Sequence, residues 1–258
     1  MTWRPGVVTA CACGLLITAG TAIYAQERFG RPRAPQIQAN VEYDSRPVFV
    51  RLRYDTGFSG FGRRGGGAGW LHDYPVADLN LMQIVKALTL TDARVDGSNI
   101  LSLDDPELFR YPIAYMSEPG YWGPSDAEAE GLRNYLLKGG FIIFDDFRGG
   151  DWYHLEQQMR RVLPEHHFIQ LDISSPVFHA FFDLQALDIL PPPYGEFMPT
   201  YYGIFEDNDP RGRLMAIANR DNDLGDYWEY SATGLFAVDL SNEAYKFGVN
   251  YMIYGLTH

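Results

Sequence analysis

Gly139–Gly150 reads GGFIIFDDFRGG, and the rest of the chain can be placed from it. The run Phe141-Ile142-Ile143-Phe144 has no polar alternation, the pattern of a strand buried on both faces of a parallel sheet. Paired glycines stand on either side. Asp145 and Asp146 fall at the carboxyl end of the run, the edge of an open α/β sheet where ligands settle. Immediately upstream, Ser125-Asp126-Ala127-Glu128 is a capping box, in which the Ser hydroxyl and the Glu carboxylate satisfy the free amides of a helix start. That helix continues through Leu132, Tyr135 and Leu136 and stops at Gly139, where a left-handed C-cap fits. Downstream, Asp151 is expected to cap a second helix, Trp152–Leu163, which Pro164 ends.

Outward from this centre the same alternation repeats. Phe49–Tyr54 has the period of a strand, and Leu79, Met82, Ile84, Val85 and Leu88 have helical spacing. Ile100–Leu103 and Ile113–Met116 read as short strands. Phe168–Leu171 and Leu214–Ala218 read as later ones. Val177–Leu184 is expected to be a short apolar helix, Ile189–Thr200 an irregular crossing loop, Asn219–Glu229 an acidic loop, and Asn242–Leu256 the closing helix. Strands alternating with helices predict an α/β fold: a mostly parallel sheet with helices on both faces.

Residues 1–25 have the form of a secretory signal. Arg4 precedes an apolar Val7–Ile23, and Ala25 offers a cleavage position. An uncleaved anchor helix is the alternative. Both cysteines, Cys11 and Cys13, lie inside this segment, so the remainder has no thiol for disulfides, metal ligation or nucleophilic attack. Without the segment, 20 basic residues face 33 acidic ones, a net charge of −13, which disfavours nucleic acid and anionic lipid as partners. Residues 26–46 read as a flexible tether and 47–258 as one domain. The stretch Gly57–Gly69 holds seven glycines but lacks phosphate-loop spacing, and reads as a surface loop.

Several motifs in order resemble the bacterial DUF4159 family. They are Arg51-Leu52-Arg53-Tyr54, Asp73-Tyr74-Pro75 with Ala77-Asp78-Leu79-Asn80-Leu81, Tyr111-Pro112 with Tyr115-Met116, and Leu132-Arg133 with Tyr135-Leu136. Gly139-Gly140-Phe141 leading to Asp145-Asp146-Phe147 belongs to the same series. So do Asn222-Asp223-Leu224-Gly225-Asp226 with Trp228-Glu229, and Asn250 with Tyr254 and His258. The resemblance implies a three-layer, flavodoxin-like variant of the class I glutamine amidotransferase-like fold, with no assigned role. It also hints at envelope assemblies. Two departures stand out: Ser174-Ser175-Pro176 where His-Pro is common, and Arg148 where an aromatic residue often follows Asp-Asp-Phe. Amidotransferase chemistry needs a cysteine on a strand-to-helix elbow, and the exported chain has none.

The candidate catalytic residues are therefore Asp145 and Asp146. Either can act as a general base, or both can hold a divalent cation through oxygen. The residues expected to line a binding edge with them are Tyr115, Trp122, Trp152, His154, Asp223, Asp226 and Trp228. Rings beside carboxylates suit sugar stacking, although core or interface anchoring is the stronger reading. Asp221–Asp226 alternates oxygen donors but fails the spacing of an EF-hand. No HExxH or GxSxG pattern occurs, and His179 is expected to be a satisfied core residue. No resident cofactor is expected apart from the cation option. The leading expectation is an exported, non-catalytic binding module for a partner protein or an envelope glycan. The alternative is a hydrolase acting on a glycan or related polar substrate through Asp145 and Asp146.

Overall fold

The computed structural model describes residues 36–55, 69–193 and 197–258. The signal segment, residues 26–35 of the tether and nearly all of the glycine-rich stretch lie outside the described residues. Seven strands form one sheet: β1 (Val50–Arg53), β2 (Asn99–Ser102), β3 (Ile113–Ser117), β4 (Phe141–Phe147), β5 (Ile169–Gln170), β6 (Thr200–Phe205) and β7 (Leu214–Arg220). Their order across the sheet is β2-β1-β3-β4-β7-β6-β5. The first five in that order run parallel, and β6 and β5 are antiparallel additions.

Helices cover both faces. On one face lie α1 (Val76–Leu88), α4 (Leu224–Glu229) and α5 (Val238–Thr257); on the other lie α2 (Asp126–Leu137) and α3 (Asp151–Val162). The architecture is α/β with three layers, consistent with a flavodoxin-like fold. Central β4 shows why its sequence has no alternation: Phe141 and Ile143 enter the core under α1 and α5, while Ile142, Phe144 and Phe147 enter the core under α2 and α3. Among the described residues no helix is long and apolar enough to cross a membrane.

Five sequence expectations change, the first being Asn219–Glu229, read as an acidic loop: β7 runs on to Arg220 and α4 covers Leu224–Glu229. β6 falls at the end of the stretch read as a crossing loop and pairs antiparallel with β7 along its whole length. Val177–Leu184 is not a helix. A 3-10 turn, Pro176–Phe178, is followed by a bent segment whose backbone is bonded by Asn250 of α5 instead of by a helical ladder. The Asn250 Oδ1 accepts from the amides of Phe181 (3.0 Å) and Phe182 (2.7 Å), and its Nδ2 donates to the carbonyls of Phe178 (2.8 Å) and Phe182 (3.0 Å). His179 accordingly sits at the surface, between Asp183 and the Ile173 carbonyl, rather than on an apolar helix face. Asp151 does not cap α3: Gly150 occupies the N-cap, and Asp151 lies in the first turn, accepting from the Arg148 amide at 3.3 Å.

Part of the stretch read as a tether is bonded to the sheet. Asn40 accepts from the Ile100 amide and donates to the Ile100 carbonyl, and Val41 donates to Asn99, so this segment lies along β2.

Candidate binding site at the carboxyl edge of the sheet

The parallel strands deliver their acids to one edge. At the end of β4 the pairing with β7 slips between Phe144 and Phe147, and Asp146 takes a left-handed backbone (φ 55°). Such a bulge re-aims a side chain. Without it Asp145 and Asp146 would simply alternate faces; with it, both are buried but do different things.

Asp145 is fully buried and fully bonded. Its Oδ1 accepts from Asn219 Nδ2 (2.9 Å). Its Oδ2 accepts from the Tyr115 hydroxyl (2.9 Å) and from the amides of Leu224 (2.9 Å) and Gly225 (3.0 Å). It thus ties β3, β4 and β7 to the first turn of α4. Burial pushes its carboxyl up to about 6; the Asn219 bond opposes this and repulsion from Asp146 adds to it. Four donors and no acceptor surround it, so it is ionised at neutral pH.

Asp146 turns the other way. Ser117 donates to its Oδ2 over a long 3.4 Å, and Arg148 Nη2 lies 3.6 Å from its Oδ1. His72 Nδ1 approaches Asp146 Oδ2 at 2.8 Å and Asp73 Oδ1 at 3.1 Å, close enough for ion pairing, although neither approach has the angle of a hydrogen bond. Arg51 on β1 holds this second arm in place. It donates to the carbonyls of Trp70 (3.0 Å) and His72 (2.7 Å) while paired with Asp78 of α1, and both partners of that pair are fully buried.

Asp223 caps α4, its Oδ1 accepting from the Asp226 amide at 2.9 Å. Both oxygens of Asp73, Asp223 Oδ2 and Asp226 Oδ2 are buried without a hydrogen-bond partner. The approach is close: a Cβ on Gly225 would overlap Asp73 Oδ2. Strain gathers here too. Asp73, Glu118, Asp146 and Asp221 all have positive φ between 49° and 63°, a backbone region short polar side chains tolerate better than most. Such outliers concentrate at functional sites.

The electrostatics follow from the packing. Burial alone would lower the His72 imidazole, but its contacts with Asp146 and Asp73 outweigh burial and raise it to about 11. Burial raises Asp73 to about 7 against the pull of His72, with repulsion from Asp146 and Asp226 adding to it. Asp223 and Asp226 are also raised, by burial first, and for both the charge of Asp146 adds to the shift.

A pH dependence follows for the metal-free protein. Asp73 and Asp145 titrate near 7 and 6 when folded and near 4 when unfolded, so between those values the folded chain holds more protons and stability falls as pH rises. His72 acts in the same direction at higher pH: its stabilising charge, fully effective below the unfolded value of about 6.5, is lost as pH climbs through about 11. Urea midpoints measured in chelator should drop between pH 5.5 and pH 8, and drop less in Asp73→Asn. Equal drops in the two proteins would contradict this assignment.

The structure brings Asp146, Asp223 and Asp226 together and adds His72 and Asp73, which sequence reasoning did not select. Their signal was the Asp73-Tyr74-Pro75 motif directly after the glycine-rich stretch. Tyr115 donates to Asp145, and its hydroxyl lies against Gly225 of α4. Trp122 and Trp228 are fully buried; Trp228 donates to the Ala244 carbonyl, and His154 contacts the Trp122 carbonyl. Trp152 packs between Tyr202, Phe168 and Phe147.

A family model described as a domain of unknown function, DUF4159, matches residues 48–256. The chain belongs to the DUF4159 family. The match begins just ahead of β1, ends inside α5, and encloses every acid of the edge. No curated protein matches the sequence. Within the matched stretch, Asp73, Asp145, Asp146, Asp223 and Asp226 gather at the edge, and Arg51, Asp78 and Tyr115 brace it.

Proposed function

We propose that this DUF4159 domain is an exported, non-catalytic binding module whose carboxyl edge engages a partner protein of the envelope. The observation that carries this reading is the set of buried carboxylate oxygens at that edge without hydrogen-bond partners, on Asp73, Asp223 and Asp226. Native proteins satisfy buried polar groups, so unsatisfied ones at a ligand-facing edge point to a ligand. Export is supported by the apolar Val7–Ile23 behind Arg4 and by the cysteine-free remainder.

Protein is favoured over glycan because the rings that would stack on sugars, Trp122, Trp152 and Trp228, are turned into the core. Binding is favoured over catalysis because, Asp146 apart, the groups that could act are already committed. Asp145 is saturated, Ser117 is fully buried against Asp146, and His72 is held charged and cannot take a proton. Hydrolysis of a glycan or related polar substrate is the second reading. It draws on Asp146, with Asp73 held near 7, in the range of a working acid or base.

A photo-crosslinking amino acid at Tyr153, which is 65% exposed on the first turn of α3, should trap a discrete protein adduct in cells. Phe109, which is 44% exposed just ahead of β3 at the opposite end of the sheet, should not. The adduct should vanish in a folded Asp146→Asn variant. No adduct from position 153, binding to purified peptidoglycan sacculi instead, or release of reducing ends from them would overturn the proposal.

A further inference from the structure

We infer that the carboxyl edge is a binding site for one divalent cation, held by His72, Asp73, Asp146, Asp223 and Asp226. This goes beyond partner binding and stands without it.

The geometry comes first. One potential ligand atom each from His72, Asp73 and Asp226 lie within 4.8 Å of one another, and so do those from His72, Asp146 and Asp223. Donors about 2.1 Å from an octahedral ion stand about 3 Å apart when adjacent and about 4.2 Å apart when opposite. The separations already present, 2.8 Å and 3.1 Å from His72 Nδ1 to Asp146 and Asp73, are those of adjacent donors around an ion. The two triads share His72, so the inferred ion is placed beside its imidazole, which gives up its proton to coordinate, with the acids of both triads around it.

A cluster of acids alone would not carry this inference. The independent observation is that four carboxylate oxygens on Asp73, Asp223 and Asp226 have no hydrogen-bond partner, although these residues are only 5%, 2% and 2% exposed. A buried carboxylate without a matching charge is costly, and the described cations near these four acids are His72, Arg148 and an Arg51 already paired with Asp78. A dication supplies what the packing leaves out.

The surrounding residues act as supports. Asp145 fixes the amides of Leu224 and Gly225, which sets the direction of α4 and with it Asp223 and Asp226. Asp223 gives one oxygen to the helix cap and keeps the other for the ion. Ser117 donates to Asp146, and Arg51 anchors the His72 carbonyl. Orientation of ligands by such outer partners is usual in metal sites. The His72 side chain, 34% exposed, provides the entry path.

The donor set selects the metal. Four carboxylates and one imidazole suit an oxygen-preferring ion that also accepts nitrogen, which describes Mn²⁺ better than Ca²⁺ or thiolate-seeking metals.

The experiment uses the full exported chain, stripped with chelator and returned to metal-free buffer. Mn²⁺ titration followed by electron paramagnetic resonance should give a stoichiometry near one, with loss of the free-ion signal. At a hundredfold excess over Kd, Mn²⁺ should raise Tm by about 5–10 °C. Asp226→Asn should weaken Mn²⁺ binding at least tenfold, whereas Asp183→Asn, whose carboxylate pairs with His179, should leave it unchanged. Wild-type protein that fails to bind Mn²⁺ at 1 mM, or Asp226→Asn protein that binds as tightly as wild type, overturns the inference. Neither readout involves a partner, so a failure here is separable from a failure to crosslink.

Discussion

Arg51→Met is expected to lower the stability of the domain by about 3–5 kcal/mol, the usual loss when one member of a buried ion pair is removed. The mechanism is specific. Asp78 would be left fully buried on α1 without its counter-charge, and the carbonyls of Trp70 and His72 would lose the guanidinium that now binds both. For a domain of this size that is a drop in Tm on the order of 10 °C. Arg51→Lys should recover less than half of the loss, because an ammonium cannot hold Asp78 and two separate carbonyls with one planar fork. Replacing both partners, Arg51→Met with Asp78→Leu, should cost less than Arg51→Met alone, since no orphaned charge remains. Urea unfolding of the four proteins measures all of this. A loss below about 1 kcal/mol for Arg51→Met would mean that Asp78 finds another partner or takes up a proton.

Asp145→Asn should cost about 3 kcal/mol, although it changes one atom. If the amide keeps its oxygen toward Tyr115, Leu224 and Gly225, its nitrogen meets the Asn219 nitrogen, and two donors face each other. Asn219 cannot simply flip, because its oxygen accepts from the Tyr251 hydroxyl at 2.9 Å. Bonds to an ionised group contribute about 1.5–3 kcal/mol each, and the orphaned donors add desolvation. The exchange Asp145→Asn with Asn219→Asp restores a donor opposite an acceptor, keeps Tyr251 satisfied and returns the charge to the same pocket. It should recover at least half of the loss. If the double variant is no more stable than Asp145→Asn, the Asp145–Asn219 bond is not what the carboxylate is there for.

These two residues also show how far the sequence could be read. The buried strand around Phe141–Phe144 was legible because an unbroken apolar run between glycine pairs, too short for a helix, suits a strand covered on both faces. The capping box at Ser125 and Glu128 formed as read, with both of its bonds. β6 was not legible. It contains Gly203 and follows a proline-rich stretch, and its strand character comes from pairing with β7, a tertiary effect. The 178–182 bend was hidden for a related reason, since the four bonds that shape it belong to Asn250, some seventy residues away. At the edge, Asp145-Asp146 stood out by position and Asp223 with Asp226 by their alternating oxygens. His72 and Asp73 did not, because what makes them part of the site is the left-handed turn at Asp73 and the grip of Arg51 on the preceding backbone. Neither has a local pattern. The division of labour between Asp145 and Asp146 was equally invisible, because it depends on a one-residue slip in the β4–β7 pairing.

The segment beside β2 has a consequence of another kind. β2 is an outer strand of the sheet, and an outer strand is a template on which a second chain can pair. The side-chain amide of Asn40 satisfies the N–H and C=O of Ile100 together, so the most accessible rung of that template is already taken by the chain's own upstream sequence. The physical unit therefore starts before β1. Residues 38–41 thus occupy an outer edge on which another strand could otherwise pair.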